Sequence, residues 1–176
     1  SLFRIMSMTK PVTAVAVMMM EEQGKLSVTD LVSKYIPEFK QLKVSATRPE
    51  PARGNAPPTS GPTVPATREI TITDLLTHTS GMISNVPDRQ PGETLATIVQ
   101  RYATLPLRFQ PGTDWEYSGI AGPDVLARIV EIVSGQNYET FLRTRIFEPL
   151  GMKETSHFPT DAQRPRVVTL YTNPLT

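Results

Sequence analysis

The chain has 176 residues, 39% of them apolar and 20% charged, which is enough for one domain with its own core. A formal net charge of +1 gives no electrostatic reason to expect nucleic acid or a membrane surface as partner, and the absence of cysteine excludes disulfides and thiolate-bound metals. The longest apolar stretch, residues 12–20 interrupted by Thr13, is about half of the ~20 residues needed to cross a bilayer.

The chain opens Ser1-Leu2-Phe3 without an initiator methionine or a secretory pattern, so its natural start is expected upstream. The compartment stays open, with a cytoplasmic location preferred to a periplasmic one. Ser7-Met8-Thr9-Lys10 follows, and Pro11 then opens a strongly helical run. The pattern predicts a helix over 11–23 that buries Val12, Val15, Ala16 and Met19 and stops at Gly24. A lysine three residues after a serine lies on the same helical face, so its amine can reach the serine oxygen. The helix N-terminus adds unpaired N–H groups and a partial positive charge, which favour an anionic oxygen over an ammonium.

Ser27-Val28-Thr29-Asp30 reads as the cap of a second helix carrying Leu31, Val32, Tyr35 and Ile36, closed before Pro37. Residues 48–67 hold six prolines among Gly, Ser, Thr and Asn and are expected to form a surface loop or lid. Residues 68–73 read as a short strand or extended lead-in. Thr71 and Asp74 then cap a brief helix through Leu75 and Leu76 that ends near Gly81. Further helices are predicted over 93–103, over 123–134 with Gly135 past its end, and over 138–147 capped by Asn137. Residues 167–171 could form a strand. The chain is therefore mainly α, with too few strands for a sheet of its own.

Several chemistries are excluded. No two glycines are spaced for a Gly-x-Ser-x-Gly elbow or a dinucleotide fingerprint, and Gly24-Lys25 lacks the upstream glycine of a phosphate loop. With only His78 and His157 present, a metal site has little to build on. His78 lies in Thr77-His78-Thr79-Ser80-Gly81, where structural hydrogen bonding at a helix end is its expected role. Read alone, Ser7 and Lys10 fit a helix cap beside a solvated lysine as well as they fit a catalytic pair.

Residues 109–118 then deliver Tyr117 from a turn-rich loop just before a helix. Ser7-Met8-Thr9-Lys10, Leu75-Leu76-Thr77-His78-Thr79-Ser80-Gly81-Met82, the Tyr117 loop and Pro149-Leu150-Gly151-Met152-Lys153 together resemble one family, in order over nearly the whole chain. That family is the serine hydrolases of the class C β-lactamase and penicillin-binding-protein type, and the chain is most similar to its family VIII carboxylesterases. The resemblance implies that Ser7 is the acylated nucleophile, Lys10 its activating partner and Tyr117 the proton relay for the leaving group. It implies that residues 1–176 are one incomplete domain, the helical part of an α+β fold whose antiparallel sheet is largely missing.

Gly119 departs from the family pattern, standing where β-lactamases carry an asparagine that meets the substrate's amide side chain. This favours an ester over a β-lactam. The C-terminal strand that supplies a second oxyanion-hole donor is not in the sequence, so the Ser7 backbone N–H is the donor that can be named. The expected activity is ester hydrolysis through an acyl-enzyme. The alternatives are a β-lactamase or D-amino-acid peptidase, and a non-catalytic penicillin-binding-like scaffold. No cofactor and no metal are expected. The expected partner is a small ester or β-lactam-like substrate. Exposed apolar surface is also expected, with association into a homo-oligomer or with a complementing chain segment.

Overall fold

The first helix begins where proline permits it. A 3-10 turn, Met6–Met8, leads into α1, Thr9–Glu22, and Pro11 takes its third position, where an N–H would have no intrahelical partner. At the other end Gly24 is left-handed (φ 65°), and the Lys25 and Gly24 N–H groups return to the Met20 and Glu21 carbonyls at 3.0 and 2.8 Å. This pairing satisfies carbonyls that have no partner further along the chain. The computed structural model describes residues 1–47, 61–84, 86 and 88–171, so the part of the expected lid over 48–60 lies outside the described residues.

The buried face of α1 differs from the expected one by about one position. Thr13, Ala16, Val17 and Met20 are buried, whereas Val15 is 50% exposed. The helix is apolar around most of its circumference, so periodicity alone does not select a face. Packing against α4, Ala121–Ser134, selects it. The Tyr138 hydroxyl, 2.7 Å from Thr13 Oγ1, gives that buried threonine a partner. Met8, Val15 and Met18 remain open to solvent.

Residues 31–36 do not form the predicted helix. Two 3-10 turns, Val32–Lys34 and Pro37–Gln41, replace it, and Leu31 is extended and bridged to Thr71. The capping signal was real, since Asp30 accepts the Ser27 N–H at 2.8 Å and the Tyr35 hydroxyl at 2.6 Å. However, the Val32 N–H donates to the Ile70 carbonyl and the Ile72 N–H to the Asp30 carbonyl, which commits backbone groups that a helix would need.

A strand pair that the sequence did not announce lies nearby. β1, Lys43–Ser45, runs antiparallel to β2, Thr63–Pro65, with Val44 opposite Val64. β2 falls inside the proline-rich stretch. Three residues carry no legible alternation, and β1 is bonded as well to Leu107, which donates to Lys43 and accepts from Ser45 at 2.8 Å each. Residues 68–71 lead into a helix that already starts at Ile72, and Val167 makes one parallel bridge to Leu2 in place of a strand.

The remaining helices follow their caps. α2, Ile72–Leu76, starts with a reciprocal box in which Thr71 accepts the Asp74 N–H and Asp74 accepts the Thr71 N–H. α3, Leu95–Ala103, is capped by Thr94. α4 carries Pro123 in its first turn and ends on left-handed Gly135 (φ 69°). α5, Tyr138–Leu142, is capped by Asn137 and continues as a π turn, Arg143–Phe147, in place of one regular helix. Phe39, Phe141, Ile72, Leu75, Ile98 and Ile129 fill the core between these elements, each contributing about 1.5–3 kcal/mol by burial. Among the described residues the fold is thus five helices and a two-stranded sheet, and no helix is long and apolar enough to cross a membrane.

Gly81 turns the chain below α2. It has φ 77°, and an added Cβ would sit 2.4 Å from the Phe109 carbonyl oxygen. Gly81→Ala should therefore cost more than about 1 kcal/mol, read as a lower denaturant midpoint with an unchanged slope.

Candidate active site

Ser7 lies in the turn at the mouth of α1, directly after Met6, whose left-handed φ of 49° is uncommon for a residue with a side chain. Lys10, one helical turn on, donates from Nζ to Ser7 Oγ at 3.2 Å. From the loop before α4, Tyr117 donates its hydroxyl to the same oxygen at 2.8 Å, and Lys10 Nζ lies 4.9 Å from the phenol ring centroid. The structure therefore brings together all three side chains singled out in the sequence, across 110 residues of chain. The cluster is open, with Tyr117 40% exposed.

The ammonium and the hydroxyl give the cluster its electrostatics. Hydrogen bonding to Lys10, and then to Ser7, stabilises the phenolate and holds the Tyr117 phenol below its ordinary value of 10. Burial, and then the charge of Lys10, push the neighbouring His78 imidazole below its ordinary 6.5, which keeps it neutral near pH 7. Its place in the first turn gives the Ser7 N–H no acceptor within that turn. Among the described residues no three His, Asp or Glu side chains are grouped as metal ligands would be.

The loop carrying Tyr117 is tied down on both sides. Arg108 Nε meets the Glu116 carboxylate at 2.6 Å, and the Glu116 N–H donates to the His78 carbonyl at 3.1 Å. The Ser118 N–H donates to His78 Nδ1 at 3.3 Å, while the Ser84 hydroxyl donates to the Tyr117 carbonyl. Ser118 is buried and its Oγ accepts the Gly122 N–H at 3.0 Å in the first turn of α4. Ser118 and Ser84 carried no expected role. Ser118 could have been found as a hydroxyl just ahead of a helix start, whereas no local signal marks Ser84. Gly119 leaves open space beside the phenol, since an added Cβ would meet only Tyr117 Cε1, at 3.8 Å.

Comparison with known proteins adds the lineage. A family model described as Beta-lactamase matches residues 1–176. The chain is 37% identical to Protein Rv1367c of Mycobacterium tuberculosis, over 97% of this chain and 43% of the relative. It is 32% identical to Esterase EstB of Burkholderia gladioli, over 93% of this chain and 40% of the esterase. Among solved structures, EstCE1, described as a hydrolase with promiscuous acyltransferase activity, superposes with a TM-score of 0.71 at 27% identity, covering 96% of this chain and 42% of that one. The chain thus spans about two-fifths of the length of the curated relatives it matches.

Proposed function

Because the chain belongs to the beta-lactamase family, we propose that it carries the nucleophile of a serine hydrolase that cleaves carboxylic esters through an acyl-enzyme on Ser7. The observation that carries this reading is the convergence of Lys10 Nζ and the Tyr117 hydroxyl on one serine oxygen, at 3.2 and 2.8 Å. Ser7 Oγ attacks the ester carbonyl and its proton passes to the Tyr117–Lys10 pair. The pair returns a proton to the departing alcohol, and water then cleaves the acyl-enzyme with the same groups acting as base. Such help is worth about 10²–10⁴-fold. The charge of Lys10 beside a lowered phenol supports Tyr117 phenolate as the proton acceptor. The Ser7 N–H supplies one oxyanion donor, worth about 10²–10³-fold.

The esterase name of one relative and the missing amide at position 119 support an ester as substrate. The family description supports β-lactamase or D-amino-acid peptidase chemistry as a second reading, in which the same serine takes a β-lactam or peptide carbonyl. The exposed Met8, Val15 and Met18 side of α1 supports cover by a further chain segment or a second copy.

The test is intact-mass analysis after exposure to a fluorophosphonate, with the labelled peptide mapped. One adduct on Ser7 is expected, with none in Ser7→Ala. An unlabelled Ser7, or equal labelling of the variant, refutes the nucleophile and leaves the non-catalytic scaffold.

A further inference from the structure

His78 occupies a position that the backbone would assign to glycine. It follows the C-terminal cap of α2 with φ 61°, the left-handed conformation that helices usually close with Gly or Asn. A side chain held there at a conformational cost points to a role for the ring. The ring and carbonyl of this one residue bracket Tyr117. The His78 carbonyl accepts the N–H of Glu116, on one side of the tyrosine, and Nδ1 accepts the N–H of Ser118, on the other. The imidazole lies against the phenol, with ring centroids 4.8 Å apart and planes at 49°.

We propose that His78 is a positioning residue for Tyr117. It grips the backbone before and after the tyrosine and walls one face of the phenol, so that the phenol oxygen stays within hydrogen-bonding distance of Ser7. This rests on the reading of Ser7 and Tyr117 given above. Accepting an N–H at Nδ1 requires a lone pair there, so the ring proton sits on Nε2 and the clamp works only in the neutral form. The charged and titratable groups set against the ring are Lys10 from α1 and Tyr117 from the loop before α4, while Glu116 reaches His78 through its backbone N–H and turns its carboxylate to Arg108.

Three variants separate positioning from folding. H78G keeps the left-handed backbone at no steric cost but removes the acceptor and the wall. H78N tolerates the same backbone and places an amide oxygen near the position of Nδ1. H78A removes the ring and keeps the strain. We expect H78G to be at least as stable as the parent chain, yet to label with fluorophosphonate at Ser7 10- to 100-fold more slowly, and H78N to recover most of that loss. We also expect the rate ratio of parent to H78N to fall as the pH drops through the imidazole titration, below its ordinary 6.5, because only the parent loses its acceptor to protonation.

An H78G rate equal to the parent's overturns the proposal, as does an H78N rate no better than that of H78A or a rate ratio unchanged from pH 8 to 5. A second readout needs no chemistry at Ser7. The ultraviolet titration of the Tyr117 phenol, obtained by difference from Tyr117→Phe, should stay lowered in H78N and return toward 10 in H78G. If H78G retains the lowered titration, His78 does not position the phenol. A parent chain that takes no label refutes the nucleophile alone, and the phenol titration still decides His78.

Discussion

Lys10→Met is expected to slow acylation of Ser7 by about 10²–10⁴-fold while leaving the fold intact. Methionine keeps the length and apolar stem of the lysine at a half-buried position but removes the amine that lies 3.2 Å from Ser7 Oγ. Two effects then act together. Ser7 loses a donor to its oxygen, and Tyr117 loses the hydrogen bond that contributes most to holding its phenol below 10. The pH profile carries the sign. In the parent, the labelling rate rises with pH as the lowered phenol deprotonates and levels off above that titration. In Lys10→Met the rise moves to higher pH. Lys10→Arg separates the two roles, because a guanidinium keeps the positive charge yet does not give up a proton in this range. Retention of a substantial part of the rate by Lys10→Arg assigns the lysine an electrostatic role and the phenolate the role of base. A loss equal to that of Lys10→Met assigns the proton-accepting role to the amine. Stopped labelling followed by mass, from pH 5 to 10, measures all three.

The largest expected effect on stability is at Asp74. Asp74→Ala should destabilise the chain by about 2–4 kcal/mol, from loss of a helix cap at about 1 kcal/mol and from buried partners left unmade at about 1–3 kcal/mol. The carboxylate is only 5% exposed and accepts from Arg68 Nη1 and Nη2 at 2.7 and 2.9 Å, from the Thr71 N–H and hydroxyl at 2.8 Å each, and from the Thr79 hydroxyl at 3.2 Å. Burial by itself would raise this carboxyl. The Arg68 fork and the Thr71 donors outweigh it and bring the carboxyl from 3.8 to about 2. A group whose folded-state value is depressed stabilises the fold above its unfolded value and loses that contribution as pH falls toward the folded one. About 2 kcal/mol should therefore disappear between pH 4 and pH 2, and this dependence should be absent from Asp74→Ala. Urea melts at pH 7, 4 and 2.5 test both statements. A variant within 0.5 kcal/mol of the parent at pH 7 would contradict the account. The consequence reaches the site, because the Asp74 carboxylate that the substitution removes also accepts the hydroxyl of Thr79, next to His78, at 3.2 Å.

The family fold explains why the site is assembled from separated pieces. A serine in the turn that leads into α1 and a lysine in the first turn of α1 are local geometry, set within four residues of each other. The third member comes from a loop whose placement depends on α2, α4 and the turn at His78. Damage to those supports should therefore reduce chemistry before it abolishes the fold. This distinguishes the His78 variants from the Asp74 variant.

Short-range chemistry along the chain was enough to locate most of the helices. Pro11 and Gly24 bracketed α1, the Thr71–Asp74 box started α2, and Pro123 and Gly135 bounded α4, because caps and breakers act within a few residues of themselves. Spacing at a helix mouth marked Ser7 and Lys10 as one of two readings, and only the resemblance carried by the order of the motifs singled out Tyr117. Long-range contact decided the rest. Which side of α1 is buried depended on α4 and Tyr138. Leu31 became extended because residues 70–72 took its neighbours' hydrogen bonds, and β1 and β2 paired beside Leu107 without any readable alternation of their own. The grip of His78, Ser84 and Ser118 on the Tyr117 loop also stayed hidden. Each of those bonds joins residues that only folding brings together, and a one-dimensional pattern holds no record of a partner 33 or 40 positions away.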